Sequence, residues 1–146
     1  MPDVIFDIDG TLADLTHRRH YVAQKPKNWE AFHAAADRDT VIEPVAEVAR
    51  SLSQSGWRVI LCSGRPESSR RVTVNWLMAN DLPAGPLYMR PDNDFRADDI
   101  VKSELLDRIY ADGFKPTLVV DDRMRVLRMW QARGLMVLAV NCGAEF

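Results

Sequence analysis

Cysteine is almost absent from the 146 residues: Cys62 and Cys142 are the only two, each near the end of an apolar run that reads as a buried strand. Two thiols so placed exclude a disulfide framework and fit reduced structural cysteines in an intracellular setting. Lysine is scarce as well. Of nineteen basic residues only Lys25, Lys27, Lys102 and Lys115 are lysines, which leaves fifteen arginines. Arginine is the side chain that grips phosphate with two parallel donors, so position must decide which of them matter. A formal net charge of −2 argues against broad, non-specific binding along a nucleic-acid duplex. No apolar run approaches the ~20 residues that cross a bilayer. The opening Met1-Pro2-Asp3-Val4 is neither a basic nor an apolar leader, so a soluble, cytoplasmic protein with no membrane partner is expected. Repeats, low-complexity tracts and long linkers are missing too. With 47% apolar residues, one domain over residues 1–146 is expected.

Five short β-rich apolar runs are present: Val4 to Ile8, Trp57 to Cys62, Pro86 to Met89, Thr117 to Val120 and Met136 to Val140. They read as buried strands. Between them apolar residues recur at helical spacing, as Val45, Val48 and Leu52; Val72, Trp76 and Leu77; Val101, Leu105 and Ile109; and Val126, Leu127 and Trp130. Gly56, Gly113 and Gly134 follow three of these segments, where a left-handed helix terminus is common. Strands alternating with helices predict an α/β fold: a doubly wound, Rossmann-like, five-stranded parallel sheet covered on both faces. The segment from about residue 15 to 41 breaks the alternation. It predicts a small helical lid inserted after the first strand, with a short helix from Asn28 to Ala36.

In such a sheet, ligands sit at the carboxyl ends of the strands. The polar residues obey that rule: Asp7 and Asp9 end the first strand, Ser63-Gly64-Arg65 the second, Arg90 the third and Asp121-Asp122-Arg123 the fourth. Two carboxylates one residue apart can divide labour. Asp7 can attack phosphorus to form an acyl phosphate, while Asp9 protonates the leaving oxygen and then activates water. Crowded carboxylates repel one another and a phosphate dianion, so the chemistry calls for Mg²⁺ between them, with Asp121 and Asp122 supplying further oxygens. Ser63 and the amides after it form a phosphate cradle. Lys102, early in the fourth predicted helix, supplies a cation.

Asp7-Ile-Asp-Gly-Thr11, Ser63-Gly-Arg65, Lys102 and Asp121-Asp122 together resemble the four ordered motifs of the haloacid dehalogenase superfamily, over nearly the whole chain. A narrower resemblance is to the 3′-phosphatase domains of bacteriophage polynucleotide kinase-phosphatases. It rests on Arg18, Ser63-Gly-Arg-Pro66, Arg90, Arg96-Ala-Asp-Asp-Ile-Val-Lys102, Val120-Asp-Asp-Arg123 and Met129-Trp130. The resemblance implies Asp7 as nucleophile, Asp9 as general acid-base, and Ser63 and Lys102 as phosphate ligands. It also implies Gly64, Arg18, Arg65, Arg90 and Arg123 as substrate contacts, with Asp98 orienting Lys102 or an arginine. For Mg²⁺ it implies Asp7, the Asp9 backbone carbonyl, Asp122 directly and Asp121 through water. The implied activity is removal of a 3′-phosphate from the end of DNA or RNA. The alternatives are the same chemistry on mononucleotides or other small phosphomonoesters, and a silent interaction domain, which the complete set Asp7, Asp9, Lys102 and Asp122 argues against. No Gly-x-x-x-x-Gly-Lys-[Ser/Thr] loop is present, so this chain carries no ATP-binding kinase module.

Other conspicuous residues read as ordinary structure. His17, His20 and His33 lack metal-ligand spacing and belong to the lid. Trp57, Trp76 and Trp130 fall on apolar faces and read as core. Tyr21, Trp29 and Phe32 are expected to pack the lid onto the sheet.

Overall fold

The computed structural model describes residues 1–141, so Cys142 lies outside the described residues. In chain order the elements are β1 (Asp3–Phe6), β2 (Ala13–Asp14), α1 (His20–Ala23), α2 (Trp29–Ala34), β3 (Thr40–Val41), α3 (Glu43–Gln54), β4 (Arg58–Pro66), α4 (Arg70–Ala79), β5 (Leu87–Arg90), α5 (Asp98–Ala111), β6 (Pro116–Asp121), α6 (Met124–Ala132) and β7 (Met136–Ala139). Five of the strands form a parallel sheet in the order β5-β4-β1-β6-β7. The chain therefore winds from β1 out to one edge, returns through α5, and winds to the other. The winding reverses at β1, and the strand ends there splay to leave the crevice in which ligands bind.

Side chains alternate across the sheet with the strand period of two. Val4 and Phe6 join the core under α3 and α4, with Ala46, Ala49, Trp76 and Leu77. Ile5 joins the opposite core, with Val101, Leu105 and Ile109 of α5 and Val126 and Trp130 of α6. Burial on both faces is why the strands read as continuous apolar runs. Two details depart from the pattern. On α3 the small residues Ala46 and Ala49 face the sheet and let the helix approach, which turns Val48 out to solvent. Met136 and Leu138 of β7, expected to be buried, are exposed, because β7 is the sheet edge and among the described residues bonds only to β6. Cys62 is a buried free thiol whose pKa burial pushes up to about 12.

The lid is built on a two-residue antiparallel ladder between β2 and β3. Inside it Leu15, Val22 and Phe32 make a small core of their own, with Tyr21 packed against them. Its helix is shorter than expected. Asn28 is the N-cap, its side chain accepting from the Ala31 amide at 3.1 Å, and the helix ends at Ala34 before a separate 3-10 turn over Ala36–Arg38. β4 runs four residues further than the sequence indicated. Its pairing with β5 shifts between Ser63 and Pro66, so Gly64-Arg65 forms a bulge within the strand just after Ser63. Bulges of this kind re-aim backbone groups beside functional sites.

Candidate active site

The turn after β1 is unusually tight. The Ile8 carbonyl accepts from the amides of Thr11, Leu12 and Ala13 at 3.2, 2.9 and 2.9 Å. Gly10 sits there with φ of 82°, and a Cβ in its place would lie 2.1 Å from Asp122 Oδ2. Glycine thus serves the turn twice, by its left-handed backbone and by letting the β6 terminus close on the β1 terminus.

That closure assembles the acidic centre. One oxygen each from Asp7, Asp121 and Asp122 falls within a 4.8 Å cluster. Lys102 reaches in from α5, donating to Asp7 Oδ1 at 2.7 Å and to Asp121 Oδ2 at 3.2 Å. Thr11 Oγ1 donates to Asp7 Oδ2 at 2.9 Å, and Trp130 Nε1 donates to Asp121 Oδ2 at 3.1 Å. Burial and the adjacent Asp121 carboxylate push the Asp7 pKa well above the usual range, and burial lifts Asp122 to about 6. Burial opposes charge on Asp121 and Lys102 too, but their mutual attraction outweighs it: Asp121 is held below its ordinary value and Lys102 well above. Three buried carboxylates share one lysine, an excess of negative charge that a divalent cation relieves. An all-oxygen donor set is what Mg²⁺ takes, so the residues fit the ion.

Asp9 points elsewhere. Arg65 Nη2 and Arg18 Nη2 reach its Oδ1 at 2.6 and 2.8 Å. Burial would raise the Asp9 pKa, yet Arg65 and Arg18 overcome it and hold the carboxyl far below its ordinary range. The Asp9 side chain is outside the acidic cluster, which leaves its backbone carbonyl as its candidate metal ligand.

Arg18 and Arg65, both expected to touch substrate, are buried and make ion pairs inside the protein, and Arg65 also lines the cavity that Asp7 and Lys102 border. Arg18 donates to Asp39 Oδ1 and Oδ2 at 2.8 and 2.7 Å and to the Phe32 carbonyl, and its guanidinium lies 4.3 Å from the Phe32 ring centroid. Arg65 donates to Asp39 Oδ2 and to Thr73 Oγ1. They hold Asp9 and lock the lid to the sheet. Asp39, in the lid's return strand region, is the residue that sequence reasoning missed; nothing in its local pattern distinguishes it.

Asp98, at the start of α5, bridges two arginines. Arg90 Nη2 donates to its Oδ1, and Arg123 Nη1 donates to its Oδ2 at 2.7 Å. Asp98 thus orients arginines rather than Lys102. Arg90 Nε also donates to the Gly64 carbonyl at 2.8 Å, and a Cβ on Gly64 would meet Asp98 Oδ1 at 2.8 Å. Ser63 is buried, its Oγ accepting from the Arg65 amide at 3.0 Å. Its hydroxyl proton has no acceptor among the described residues.

These groups surround a cavity of about 430 Å³, lined by Asp7, Asp9, Gly64, Lys102, Asp121 and Asp122 below and by Trp29 and His33 of the lid above. Burial lowers the His33 pKa, favouring the neutral ring. Among the described residues no helix is long and apolar enough to cross a membrane.

Comparison with known proteins agrees with this geometry. The sequence profile of the polynucleotide kinase PNKP phosphatase domain matches residues 2–145. A protein of Autographa californica nuclear polyhedrosis virus, described as a candidate bifunctional polynucleotide kinase/RNA ligase, is 30% identical over 134 residues, which are 88% of this chain and 17% of the viral one. A chain in the Pnkp1/Rnl/Hen1 complex superposes with a TM-score of 0.83 at 34% identity, covering 99% of this chain and 47% of that one. A haloacid dehalogenase-like hydrolase from Streptococcus pneumoniae shares the fold, with a TM-score of 0.65 at 12% identity over 95% of this chain and 84% of its own. The chain thus spans a small part of the viral relative and under half of the one in the complex. It has the haloacid dehalogenase-like fold, and it belongs to the family of polynucleotide kinase PNKP phosphatase domains.

Proposed function

We propose that this chain is a Mg²⁺-dependent polynucleotide 3′-phosphatase working through a phosphoaspartyl intermediate on Asp7. One observation carries the reading: the Asp7 carboxylate is held between Lys102 and Thr11 in a cavity that the small lid and the loop between β5 and α5 border among the described residues. A polymer end can reach such a cavity. The name of the viral relative and the family match support a nucleic-acid substrate.

Asp7 attacks phosphorus, a new oxygen–phosphorus bond forms, and the bond to the 3′ oxygen breaks. Asp9 gives that oxygen a proton, then takes one from the water that hydrolyses the acyl phosphate and releases inorganic phosphate. The Arg18 and Arg65 pairs favour the ionised Asp9, which suits the second step. A phosphate dianion beside it raises its proton affinity for the first. Lys102 holds Asp7 in place and balances charge, and Ser63 and the Gly64 bulge receive the phosphate oxygens. Asp7, Asp122, Asp121 and the Asp9 carbonyl would hold Mg²⁺, which when bound would supply Lewis-acid stabilisation to the transferring phosphoryl group.

The test compares a 3′-phosphorylated oligonucleotide, its 5′-phosphorylated isomer and mononucleotides, with Mg²⁺ and with chelator, using Asp7→Asn as blank. The 3′-phosphorylated oligonucleotide is expected to be the best substrate and chelator to stop turnover. A better rate on the 5′ isomer or on a mononucleotide would sink the reading.

A further inference from the structure

The loop between β5 and α5 presents an aromatic ring that no apolar cluster among the described residues takes in. Phe95 is 89% exposed. It belongs to none of the three apolar clusters, and no other aromatic ring among the described residues packs on it. Yet it lines the same cavity as Asp7 and Lys102.

The loop is built rather than loose. The carbonyls on either side of Phe95, those of Asp94 and Arg96, both accept from Arg90 Nη1, at 3.0 and 2.7 Å. Arg96 donates to Asp94 Oδ1 through its amide at 3.1 Å and reaches Glu104 on α5 at 2.6 Å. The same Arg90 guanidinium grips Gly64 beside the phosphate cradle. One rigid side chain therefore sets the spacing between the place where a terminal phosphate is received and a solvent-facing phenyl ring.

The surroundings suit a strand of nucleic acid. Trp29 of the lid, 46% exposed, lines the cavity with Phe95. Lys27, also on the cavity wall, makes no ion pair among the described residues and lies 5.5 Å over the Trp29 ring. Aromatic rings beside an unpaired cation are how single strands are held without sequence readout, because every base has a face to stack.

We propose that Phe95 is a stacking platform for a nucleobase at or next to the 3′ terminus of a single-stranded polynucleotide, held in place by Arg90. This deepens the 3′-phosphatase reading and rests on it. Arg90 acts as a positioning residue: it sets the ring and the cradle and leaves the chemistry to Asp7.

The experiment measures kcat/KM on two 3′-phosphorylated oligonucleotides that differ only in whether the last two nucleotides carry bases or are abasic. The wild-type enzyme should prefer the base-bearing substrate about 5- to 100-fold, mostly through KM. Phe95→Ala should collapse that preference toward one, and Phe95→Trp should restore it. The proposal is overturned if the wild type shows no base preference, if Phe95→Ala keeps it, or if Phe95→Ala slows both substrates equally, as loss of folding or of a protein contact would. Should the wild type instead act no better on a 3′ than on a 5′ phosphate, the underlying function fails and the stacking site with it. A 3′ preference with an unaffected Phe95→Ala sinks the stacking site alone.

Discussion

At the scale of single residues, the informative fact is the destination of the guanidinium groups. Arg18 and Arg65 converge on Asp39, whose other neighbour is His17 Nε2 at 2.7 Å. Buried pairs like these contribute little net stability, but removing one partner strands the other charge at a cost of about 3–5 kcal/mol. Asp39→Asn is therefore expected to lower Tm by about 10 °C and to slow turnover, since Arg18 and Arg65 then lose the group that aims them at Asp9. Calorimetry and steady-state rates check this; an unchanged Tm would show that the Arg65–Asp39 pair is not the lid's anchor to the sheet. Sequence could name both arginines and could not say which way they faced. Asp39 stands 21 residues from Arg18 and 26 from Arg65, so only the folded chain reveals the partnership, and without that partner an arginine near a strand end looks like a phosphate ligand.

At the scale of elements, the β1–β2 turn and the bulge in β4 are what turn a generic strand end into a site. The turn brings Asp7, Gly10 and Thr11 against Asp122, and Gly10 has no room for a side chain there. Gly10→Ala should force the Asp122 carboxylate aside. Its left-handed backbone adds strain of roughly 1–2 kcal/mol, and displacing a group of the reacting centre by about 1 Å costs on the order of a hundredfold in rate. Normal kcat with a modest loss of Tm would mean that Asp122 need not lie where it does. The turn was legible because its residues are contiguous. The bulge was not, because Ser63-Gly64-Arg65 reads as the start of a loop until its pairing with β5 is known. Nor was α1, which at four residues is too short to show a period.

At the scale of the whole molecule, the strand order accounts for the rest. Placing β1 between β4 and β6 sets Asp7 between Ser63-Gly64 on one side and the acidic pair on the other, with α5 delivering Lys102 to Asp7 and Asp121. The parallel sheet and the acidic set were readable from sequence because buried strands are apolar throughout and each ends in its polar residue. The edge position of β7 and the isolation of Phe95 depend on what covers them in three dimensions, which no periodicity encodes. In the proposed reaction Asp7 takes the phosphoryl group from a 3′ end. The wild-type enzyme is to be mixed with a 3′-[³²P]phosphorylated oligonucleotide and Mg²⁺, acid-quenched within the first turnover and digested, with Asp7→Asn as the blank. The label should remain covalently on the peptide containing Asp7 and be absent when a 5′-labelled strand is used; label on another peptide, or equal labelling from the 5′ strand, would contradict it.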